Sequence, residues 1–484
     1  MTRDFLADLA GVLDAPGLLL PGQDLTRYER EWRGRYESRA LAVARPADVA
    51  MLSALVECCL RHGVAMVPQG GNTGLVGGAV ACGERRELLI SLERLRAVRK
   101  LDSDSACLTV EAGCTLGATT RVAAAQGWRL PLALASGDSA TIGGVLATNA
   151  GGNETIRFGN ARHMVLGLEA VLADGSIWRG LSPLRKDNAG YDLAQLLVGS
   201  EGTLGIITAA SLALKPLPRQ REVAWLAVPS PASALAVLRR VRQAVGETIT
   251  AFEVMPALAI EFALAHRPGA RCPVDPQAPW HVLLDCDCAA AGQWLGEAVL
   301  ECLEAECAAE NVTDVVVAQS QAQADAFWQI RESISDAQKA GGVSLKHDIS
   351  VPIAAIPGFI DQTLARLRDR VPGIRPCVFG HFGDGNLHFN LTQPREMAAE
   401  AFRAREEEIN ELVFSSVLAV GGSIAAEHGI GLLRKGWMAK SADPAALFAM
   451  QRIKRALDPL GLMNPGKVLE VDYYSSASAG DICD

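Results

Sequence analysis

The sequence of 484 residues has no long apolar run and no basic block. No run approaches the roughly 18 apolar residues that a membrane-spanning helix needs. The first five residues, MTRDF, include an acid and lack the basic and apolar regions of a secretion signal. The net charge is −9, which argues against nucleic acid as a partner. These absences predict a cytoplasmic protein without a transmembrane segment.

Cysteine is too sparse for a disulfide-stapled fold, since only 12 residues of 484 are cysteine. Cys58, Cys59 and Cys302 lie in apolar, helix-like segments, so buried reduced thiols are expected. Cys286 and Cys288 would point to one face of a strand. A soft-metal site there is conceivable, but a partly buried strand is the better interpretation.

Histidine is also scarce, with eight residues, yet three of them fall in two glycine-bounded segments. His381 and His388 flank the sequence FGDGNL. If residues 379–382 and 387–391 are strands joined by the turn 383–386, the two imidazoles lie directly opposite each other on one face of a hairpin. Their Cβ atoms would then be about 5 Å apart. That spacing suits chelation of one metal ion.

The dyad Glu427-His428 follows about forty residues later in the sequence AEHGIG. His381, His388 and Glu427 would give a metal three ligands and leave positions open, as in catalytic rather than structural sites. His428 would be a base beside the metal. For an isolated pair, two unrelated histidines would be the simpler explanation.

The pattern of predicted secondary structure changes near residue 218. Up to that point, short apolar or β-branched runs alternate with helical stretches and many glycines; beyond it, longer strands and helices alternate. The prolines Pro216 and Pro218 and the charged stretch 219–222 mark the boundary. Predicted strands are 64–68, 88–92, 107–112, 222–228, 280–286, 314–318 and 345–350, and predicted helices are 115–126, 230–245, 290–309 and 324–340. The expected fold class is α+β.

Three glycine-rich loops follow apolar strands, at residues 69–78, 136–152 and 198–207. Glycine permits positive φ and close approach of backbone N–H groups to an anion, so the first loop can form a nest for a pyrophosphate. Neither a Walker loop nor a dinucleotide-binding Gly-x-Gly-x-x-Gly is present. Flexible surface loops or ordinary tight turns are the alternative, but the clustering of glycines with hydroxyl residues in all three favours a large phosphate-bearing cofactor.

These loops, with residues 186–193, 380–390, 427–429 and 464–467, resemble the FAD-linked D-2-hydroxyacid dehydrogenases of the vanillyl-alcohol-oxidase-type flavoproteins. The motifs occur in the same order over nearly the whole chain. The resemblance implies a two-part FAD-binding domain (1–218), an α+β substrate cap with the metal site (219–450), and a C-terminal helical segment that returns to the FAD domain (451–484).

The resemblance also implies the cofactor-binding residues. The pyrophosphate would lie on the first loop, Ile207 near the adenine side, and Asn464 would reach back towards the flavin ring. Asn72 stands where covalently flavinylated relatives often carry histidine, so FAD is expected to be non-covalent. The full set is Gly70, Gly71, Asn72, Thr73, Gly74, Gly77, Ser136, Gly137, Thr141, Gly144, Asn149, Gly152, Gly202, Ile207 and Asn464.

A substrate site is expected on one helix and the strand after it. Arg331 and Ser335 share a helix face at i, i+4, and Lys346 lies on the strand. Two cations could bind both carboxylates of a dicarboxylate substrate. The alternative is that both side chains form ordinary ion pairs at the surface. The segment resembles the D-2-hydroxyglutarate dehydrogenases, although Ser335 stands where threonine is more usual. Asn390, two residues past His388, is a further expected contact.

The expected reaction is oxidation of (R)-2-hydroxyglutarate to 2-oxoglutarate, with Zn²⁺ as the expected metal, His428 as base and hydride passing from C2 to flavin N5. No nicotinamide fingerprint, four-cysteine cluster spacing or haem-attachment motif is present, so electrons must leave to an external acceptor. The resemblance implies an electron-transfer flavoprotein or a quinone as the acceptor, and it also implies a homodimer.

Three alternatives stay open. D-lactate, D-malate or another D-2-hydroxyacid could be the main substrate. A His, His and Glu site with open positions could instead activate water in a metal-dependent hydrolase. Finally, the chain could be a non-catalytic flavin-binding subunit, although the presence of the metal ligands together with His428 argues against that reading.

Overall fold

The computed structural model describes residues 2–82 and 85–471. Its helices are α1 (Thr2–Val12), α2 (Thr26–Glu29), α3 (Val49–His62), α4 (Leu116–Ala124), α5 (Ile142–Ala147), α6 (Thr155–Phe158), α7 (Leu193–Leu197), α8 (Pro231–Val245), α9 (Ala257–His266), α10 (Trp294–Ala308), α11 (Gln321–Ala337), α12 (Ile356–Arg370), α13 (Ala399–Arg403), α14 (Glu406–Ala419), α15 (Lys435–Ser441) and α16 (Pro444–Leu457). None of the helices described is long and apolar enough to cross a membrane.

The strands are β1 (Leu18–Leu19), β2 (Val43–Ala44), β3 (Ala65–Gln69), β4 (Glu87–Ser91), β5 (Val98–Asp102), β6 (Cys107–Glu111), β7 (Trp128–Arg129), β8 (Val165–Leu172), β9 (Ile177–Gly180), β10 (Gly205–Ala213), β11 (Lys215–Pro216), β12 (Gln220–Val228), β13 (Ile249–Pro256), β14 (Trp280–Cys288), β15 (Asp314–Val317), β16 (Ser344–Ser350), β17 (Arg375–His381) and β18 (Asn386–Thr392).

The chain forms two compact units. Unit 1 comprises residues 1–150, 160–216 and 428–484, and unit 2 comprises residues 151–159 and 217–427. The predicted change at residue 218 lies close to the start of the long segment of unit 2. The roles assigned to the predicted domains remain predictions.

Unit 1 contains a four-stranded sheet of order β1-β2-β4-β3 and a five-stranded antiparallel sheet of order β5-β6-β10-β8-β9. β3 pairs with β4 in parallel. Helices α1 and α3 contribute apolar side chains to one core with β3 and β4. The side chain of Asp48 caps the first turn of α3, and Gly63, in the left-handed conformation, ends it.

Unit 2 contains one seven-stranded sheet of order β15-β12-β14-β13-β17-β18-β16, in which every pairing is antiparallel. Helices α9 and α11 share a core with one face of this sheet, which includes Trp225 and Phe379. Ser320 caps α11 by accepting a hydrogen bond from the backbone N–H of Gln323. This packing places α11 against β12 and β14, and Arg331 of α11 reaches Glu253 on β13.

The structure confirms the α+β class, and the strands and helices predicted from the sequence are present with ends that differ by a few residues. The predicted boundary at 450 differs from the structure, because the chain joins unit 1 from residue 428 onward. The backbone N–H groups of Leu432 and Leu433 donate to the carbonyl of Val76, which holds this return segment in unit 1. From residue 472 onward, the predicted C-terminal segment lies outside the described residues.

Candidate active site

The hairpin of β17 and β18 carries the two histidines of the predicted metal site. Its register places His388 opposite Phe379, not opposite His381 as predicted. The register is therefore shifted by two residues. Because side chains alternate with a period of two, both imidazoles still lie on the same face, on a diagonal, with ring centroids 5.7 Å apart.

The shift arises at the turn. The backbone N–H of Phe382 donates to the carbonyl of Phe252 on β13, so Phe382 does not extend the pairing with β18. The N–H groups of Asp384 and Gly385 both return to the carbonyl of His381, which closes the turn one residue earlier than predicted. A contact with a strand distant in sequence thus sets the register.

The three predicted metal ligands converge in unit 2. The ligand atoms of His381, His388 and Glu427 all lie within 4.8 Å of one another. His381 Nε2 and Glu427 Oε1 are 3.3 Å apart. Two ligands bound at about 2.0–2.1 Å on a tetrahedral zinc would be separated by about 3.3–3.4 Å. The arrangement therefore fits a divalent cation.

Glu253, on β13, orients this site and was missed in the sequence. Its carboxylate accepts a hydrogen bond from His381 Nδ1 at 2.5 Å, which leaves Nε2 directed at Glu427. The same carboxylate accepts from Arg331 Nε at 2.8 Å and contacts Arg331 Nη2 at 2.6 Å. A carboxylate behind a ligating histidine fixes its orientation and raises its basicity. The available signal was a single acid within the apolar strand TAFEVMP.

Burial and neighbouring charges set the protonation states at the site. Burial opposes ionisation of Glu253, but the charges of His381 and Arg331 outweigh it and hold its pKa at about 2. Burial likewise opposes protonation of His381, yet Glu253 and Glu427 raise its pKa well above the ordinary value. Burial lowers the pKa of His388 to about 4. His388 is therefore neutral at pH 7, as a metal ligand must be.

Asp348, on β16, is a second residue that the sequence interpretation did not single out for the site. It lies directly opposite His388 in the sheet. Its carboxylate accepts hydrogen bonds from the backbone N–H of Glu427 at 3.1 Å and from Asn386 Nδ2 at 2.9 Å. Asp348 thus holds the chain at the point where Glu427 enters the cluster. Its alternation with Lys346 and Ser350 on one strand face was the available signal.

The predicted substrate residues also lie on this side of the sheet. Lys346 is opposite Asn390 in the register of β16 and β18, and its Nζ donates to the carbonyl of Ser335 at 3.3 Å. The Arg331 guanidinium lies 4.9 Å from the centre of the Phe379 ring. Asn390 Nδ2 donates to Gln338 Oε1 at 3.1 Å. Arg331 is thus engaged with Glu253 rather than held as an open carboxylate fork.

The loop that carries His428 is anchored in unit 1 by Glu201, another residue missed in the sequence. The Glu201 carboxylate accepts hydrogen bonds from the backbone N–H groups of Ile430 and Gly431 at 2.7 and 2.9 Å. Burial raises the pKa of Glu201, although these hydrogen bonds and the charge of Arg434 oppose the shift. Glu201 therefore fixes the backbone two residues beyond His428.

The first glycine loop opens onto a cavity of about 480 Å³ in unit 1. Gly70, Gly71, Asn72 and Thr141 line it, together with Thr115 and Ser139, which the sequence interpretation did not single out. The other predicted cofactor residues do not line this cavity, and Gly152 belongs to unit 2.

Close packing explains the glycines of the loop. A Cβ on Gly71 would overlap the carbonyl of Ser139, and one on Gly70 would overlap Thr141 Oγ1. Asn72 has a φ of 53°, and its Nδ2 donates to the carbonyls of Arg27 and Arg30, each at 3.1 Å. The loop is thus held close to the 139–141 segment without intervening side chains.

Two predicted cofactor residues carry buried oxygens that lack a hydrogen-bond partner among the residues described. They are Thr141 Oγ1 and Asn464 Oδ1. The amide of Asn464 is itself fixed, because Nδ2 donates to the carbonyls of Gly78 and Glu201 at 2.9 and 2.7 Å. Buried polar atoms are normally paired, so these oxygens fit contacts with a bound polar cofactor.

Two families match the chain. Residues 217–468 match the FAD linked oxidases, C-terminal domain, and residues 40–180 match the FAD binding domain. A solved structure of p-cresol methylhydroxylase has a TM-score of 0.74 with 16% identity, covering 96% of each chain. At this identity the likeness shows the fold alone, which is that of the vanillyl-alcohol-oxidase-type flavoproteins.

Relatives that match over nearly the whole chain identify the family more narrowly. The D-2-hydroxyglutarate dehydrogenase of Xanthomonas citri pv. viticola is 39% identical over 484 residues, covering 99% of this chain and 100% of the relative. The mitochondrial D-2-hydroxyglutarate dehydrogenase of Bos taurus is 36% identical, covering 97% of this chain and 84% of the relative. The chain belongs to the FAD-linked oxidases, which confirms the resemblance to FAD-linked D-2-hydroxyacid dehydrogenases.

Proposed function

We propose that this FAD-dependent D-2-hydroxyacid dehydrogenase oxidises (R)-2-hydroxyglutarate to 2-oxoglutarate. The observation that carries the proposal is the convergence of His381, His388 and Glu427 on the sheet face that also carries Lys346 and Asn390. A dicarboxylic hydroxyacid needs one group to hold the reacting end and a cation for the distal carboxylate. The two sets of residues supply these separately.

The reacting end is assigned to a divalent cation, Zn²⁺, held by His381, His388 and Glu427. The 3.3 Å separation of His381 Nε2 from Glu427 Oε1 and the convergence of the three ligand atoms within 4.8 Å support this assignment. When bound, the cation supplies Lewis acidity that lowers the pKa of a coordinated hydroxyl group. Glu253 keeps His381 in the ligating orientation, and Asp348 keeps the backbone of Glu427 in place.

His428 is assigned the role of general base. In its neutral form it accepts the proton of the C2 hydroxyl, and positioned bases of this kind typically contribute about 10² to 10⁴ in rate. The hydrogen bonds from Ile430 and Gly431 to Glu201 restrict the loop on the C-terminal side of His428. FAD, when bound, supplies the hydride acceptor for the C2 hydrogen.

The distal carboxylate is assigned to Lys346, with Asn390 and Ser335 as polar neighbours. Lys346 Nζ donates to the carbonyl of Ser335 at 3.3 Å, and a substrate carboxylate would be a stronger acceptor for this ammonium group. Arg331 uses Nε and Nη2 on Glu253, so its main effect is to neutralise that carboxylate. Lys346 is therefore the primary determinant of dicarboxylate selectivity.

The FAD assignment places part of the cofactor on Gly70, Gly71, Asn72 and Thr141, with Asn464 as a further contact. The family match to an FAD binding domain and the buried unpaired oxygens of Thr141 and Asn464 support it. Non-covalent attachment is expected, because Asn72 stands where covalently flavinylated relatives often carry histidine. An external electron-transfer flavoprotein or quinone remains the expected acceptor, and the cytoplasmic location and the homodimer also remain predictions.

The proposal is tested by anaerobic titration of the purified flavoprotein with (R)-2-hydroxyglutarate, before and after chelation. Bleaching of the flavin absorption that is lost on chelation and restored by Zn²⁺ is the expected result. Metal-independent bleaching would refute the ligand assignment, and a colourless protein that binds no FAD would favour a hydrolase.

Substrate choice is tested with Lys346→Met. The charge-assisted contact is worth about 1.5–3 kcal/mol, so kcat/KM for (R)-2-hydroxyglutarate should fall roughly 10- to 150-fold while D-lactate turnover changes little. Lys339→Met, at an exposed lysine paired with Asp336, is the control and should leave both substrates unaffected. Faster turnover of D-lactate than of (R)-2-hydroxyglutarate by the unaltered enzyme would contradict the proposed substrate.

A further inference from the structure

Helices α1 and α3 bring together three side chains that the proposed reaction does not use. Cys58 and His62 are four residues apart on α3, and Asp8 lies on the neighbouring α1. One ligand atom of each residue lies within 4.8 Å of the other two. A spacing of i, i+4 places two side chains on the same helix face, which is how helices commonly present paired metal ligands.

The packing of the two helices holds these side chains in place. Phe5 on α1 makes an edge contact with the His62 ring at 5.4 Å, and Phe5, Leu9 and Cys58 belong to one apolar core. His62 Nε2 lies 2.8 Å from Asp8 Oδ2. Cys58 is fully buried, whereas the Asp8 side chain is 51% exposed. The cluster thus has a buried sulfur and an open side through which an ion can enter from solvent.

The chemistry of the donors selects the ion. A thiolate, an imidazole and a carboxylate form a ligand set that zinc accepts, with bonds of about 2.3, 2.0–2.1 and 2.0–2.2 Å. On a tetrahedral ion the nitrogen and oxygen would be about 3.3–3.4 Å apart, so Asp8 and His62 need to separate by about half an ångström. The exposed Asp8 side chain can make this movement. Thiolate ligation disfavours magnesium and calcium, which prefer oxygen ligands.

We propose that Asp8, Cys58 and His62 form a second cation site, which binds Zn²⁺ with water in the fourth position. Binding displaces the thiol proton of Cys58 to solvent, and neutral His62 ligates through Nε2 while its single N–H lies on Nδ1. The ion ties α1 to α3 and so stabilises the N-terminal helix. The site shares no residue with the proposed hydroxyacid site, and its sulfur ligand distinguishes it from that site.

The test uses the full-length flavoprotein, freed of metal and titrated with Co²⁺ as a spectroscopic substitute for Zn²⁺. Thiolate ligation gives a near-ultraviolet sulfur-to-cobalt charge-transfer absorption, which the His381, His388 and Glu427 set cannot produce. The expected result is a band whose final intensity corresponds to one thiolate-bound cobalt per chain and which is lost in Cys58→Ala. Cys59→Ala removes the adjacent, equally buried thiol and should retain the band.

Absence of the band from the unaltered protein, or its persistence in Cys58→Ala, would overturn the proposal. If Cys58→Ala fails to fold, as judged by circular dichroism, Asp8→Asn decides, since Asp8 is largely exposed. Asp8→Asn should weaken cobalt binding about tenfold or more, as loss of even an outer-shell partner does elsewhere. Zn²⁺ should also slow hydrogen exchange in α1 of the unaltered protein but not in Asp8→Asn. Unchanged affinity and unchanged exchange in that variant would refute the site.

Discussion

Two buried glutamates, one in each unit, have pKa values shifted in opposite directions. Glu253 in unit 2 pairs with Arg331 and His381, and its pKa falls to about 2. Glu201 in unit 1 accepts two backbone N–H groups, and burial raises its pKa. Ion pairing therefore keeps Glu253 charged, whereas desolvation works against the charge on Glu201. The site in unit 2 is held by ion pairs between buried side chains. The site in unit 1 is held by hydrogen bonds to backbone N–H groups and by close packing at glycines.

The largest effect is expected at the metal ligands of unit 2. His388→Ala should lower kcat by at least roughly 10²-fold, because Lewis-acid stabilisation of this kind is worth several kcal/mol. Flavin content should stay normal. Steady-state kinetics and the visible spectrum measure both.

His347→Gln is the matched control for His388→Ala. His347 lies on β16 next to β18 and is engaged with the Phe389 carbonyl and the Asn410 side chain. It should retain near-native turnover. Equal losses in the two variants would show that the hairpin tolerates no substitution and would remove the support for His388 as a ligand.

The next effect is on stability at Glu253. Glu253→Gln leaves the buried charges of Arg331 and His381 without their carboxylate, which should lower the free energy of unfolding by about 3–5 kcal/mol. Chemical denaturation of the metal-free protein measures it. Glu247→Gln, at an exposed position just before β13, should change stability little. A loss below 1 kcal/mol for Glu253→Gln would mean that the pair adds nothing over a neutral side chain.

The third prediction concerns the glycine packing of unit 1. Gly71→Ala would force a Cβ into the carbonyl of Ser139, whereas a Cβ at the exposed Gly11 of α1, used as the control Gly11→Ala, meets nothing within 4 Å. Overpacking typically costs about 1–3 kcal/mol, which corresponds to roughly 5- to 150-fold in flavin affinity. Fluorescence titration of the flavin-free protein with FAD should show the loss in Gly71→Ala alone. Equal FAD affinity in both variants would show that the first glycine-rich loop does not contribute to FAD binding.

The smallest effect is the pH dependence at Glu201, and its sign opposes that of Glu253. The raised folded pKa means that Glu201 contributes most below its unfolded value, near 4.5, and loses that contribution as pH rises through the folded pKa. The depressed pKa of Glu253 gives the reverse: stability present above about 4.5 and lost as pH falls towards 2.

Unfolding free energies of Glu201→Gln and Glu253→Gln, measured against the unaltered protein from pH 4 to pH 7, check these signs. Glu201→Gln should gain relative to the unaltered protein as pH rises. Glu253→Gln should lose relative to it from the acid side upward. Parallel pH profiles for the two variants would show that folding shifts the pKa of the two carboxylates in the same direction.

Local sequence patterns predicted much of the fold and the nature of the site. Alternation placed Lys346 and Asp348 on one strand face, and the spacing of His381 and His388 indicated a shared hairpin face. The exact register was wrong, because the N–H of Phe382 pairs with Phe252 far away in the sequence. Glu253 lies 128 residues from His381, and no local pattern connects them. Long-range pairing of strands, rather than composition, completes the site.

The proposed metal site is tested most directly by a crystal structure of the zinc-loaded protein with anomalous data at the zinc edge. The prediction is a peak at about 2.0–2.2 Å from the imidazole nitrogens of His381 and His388 and from a Glu427 carboxylate oxygen. The absence of a peak among these three side chains in a crystal of fully active enzyme would contradict the proposed role of the metal.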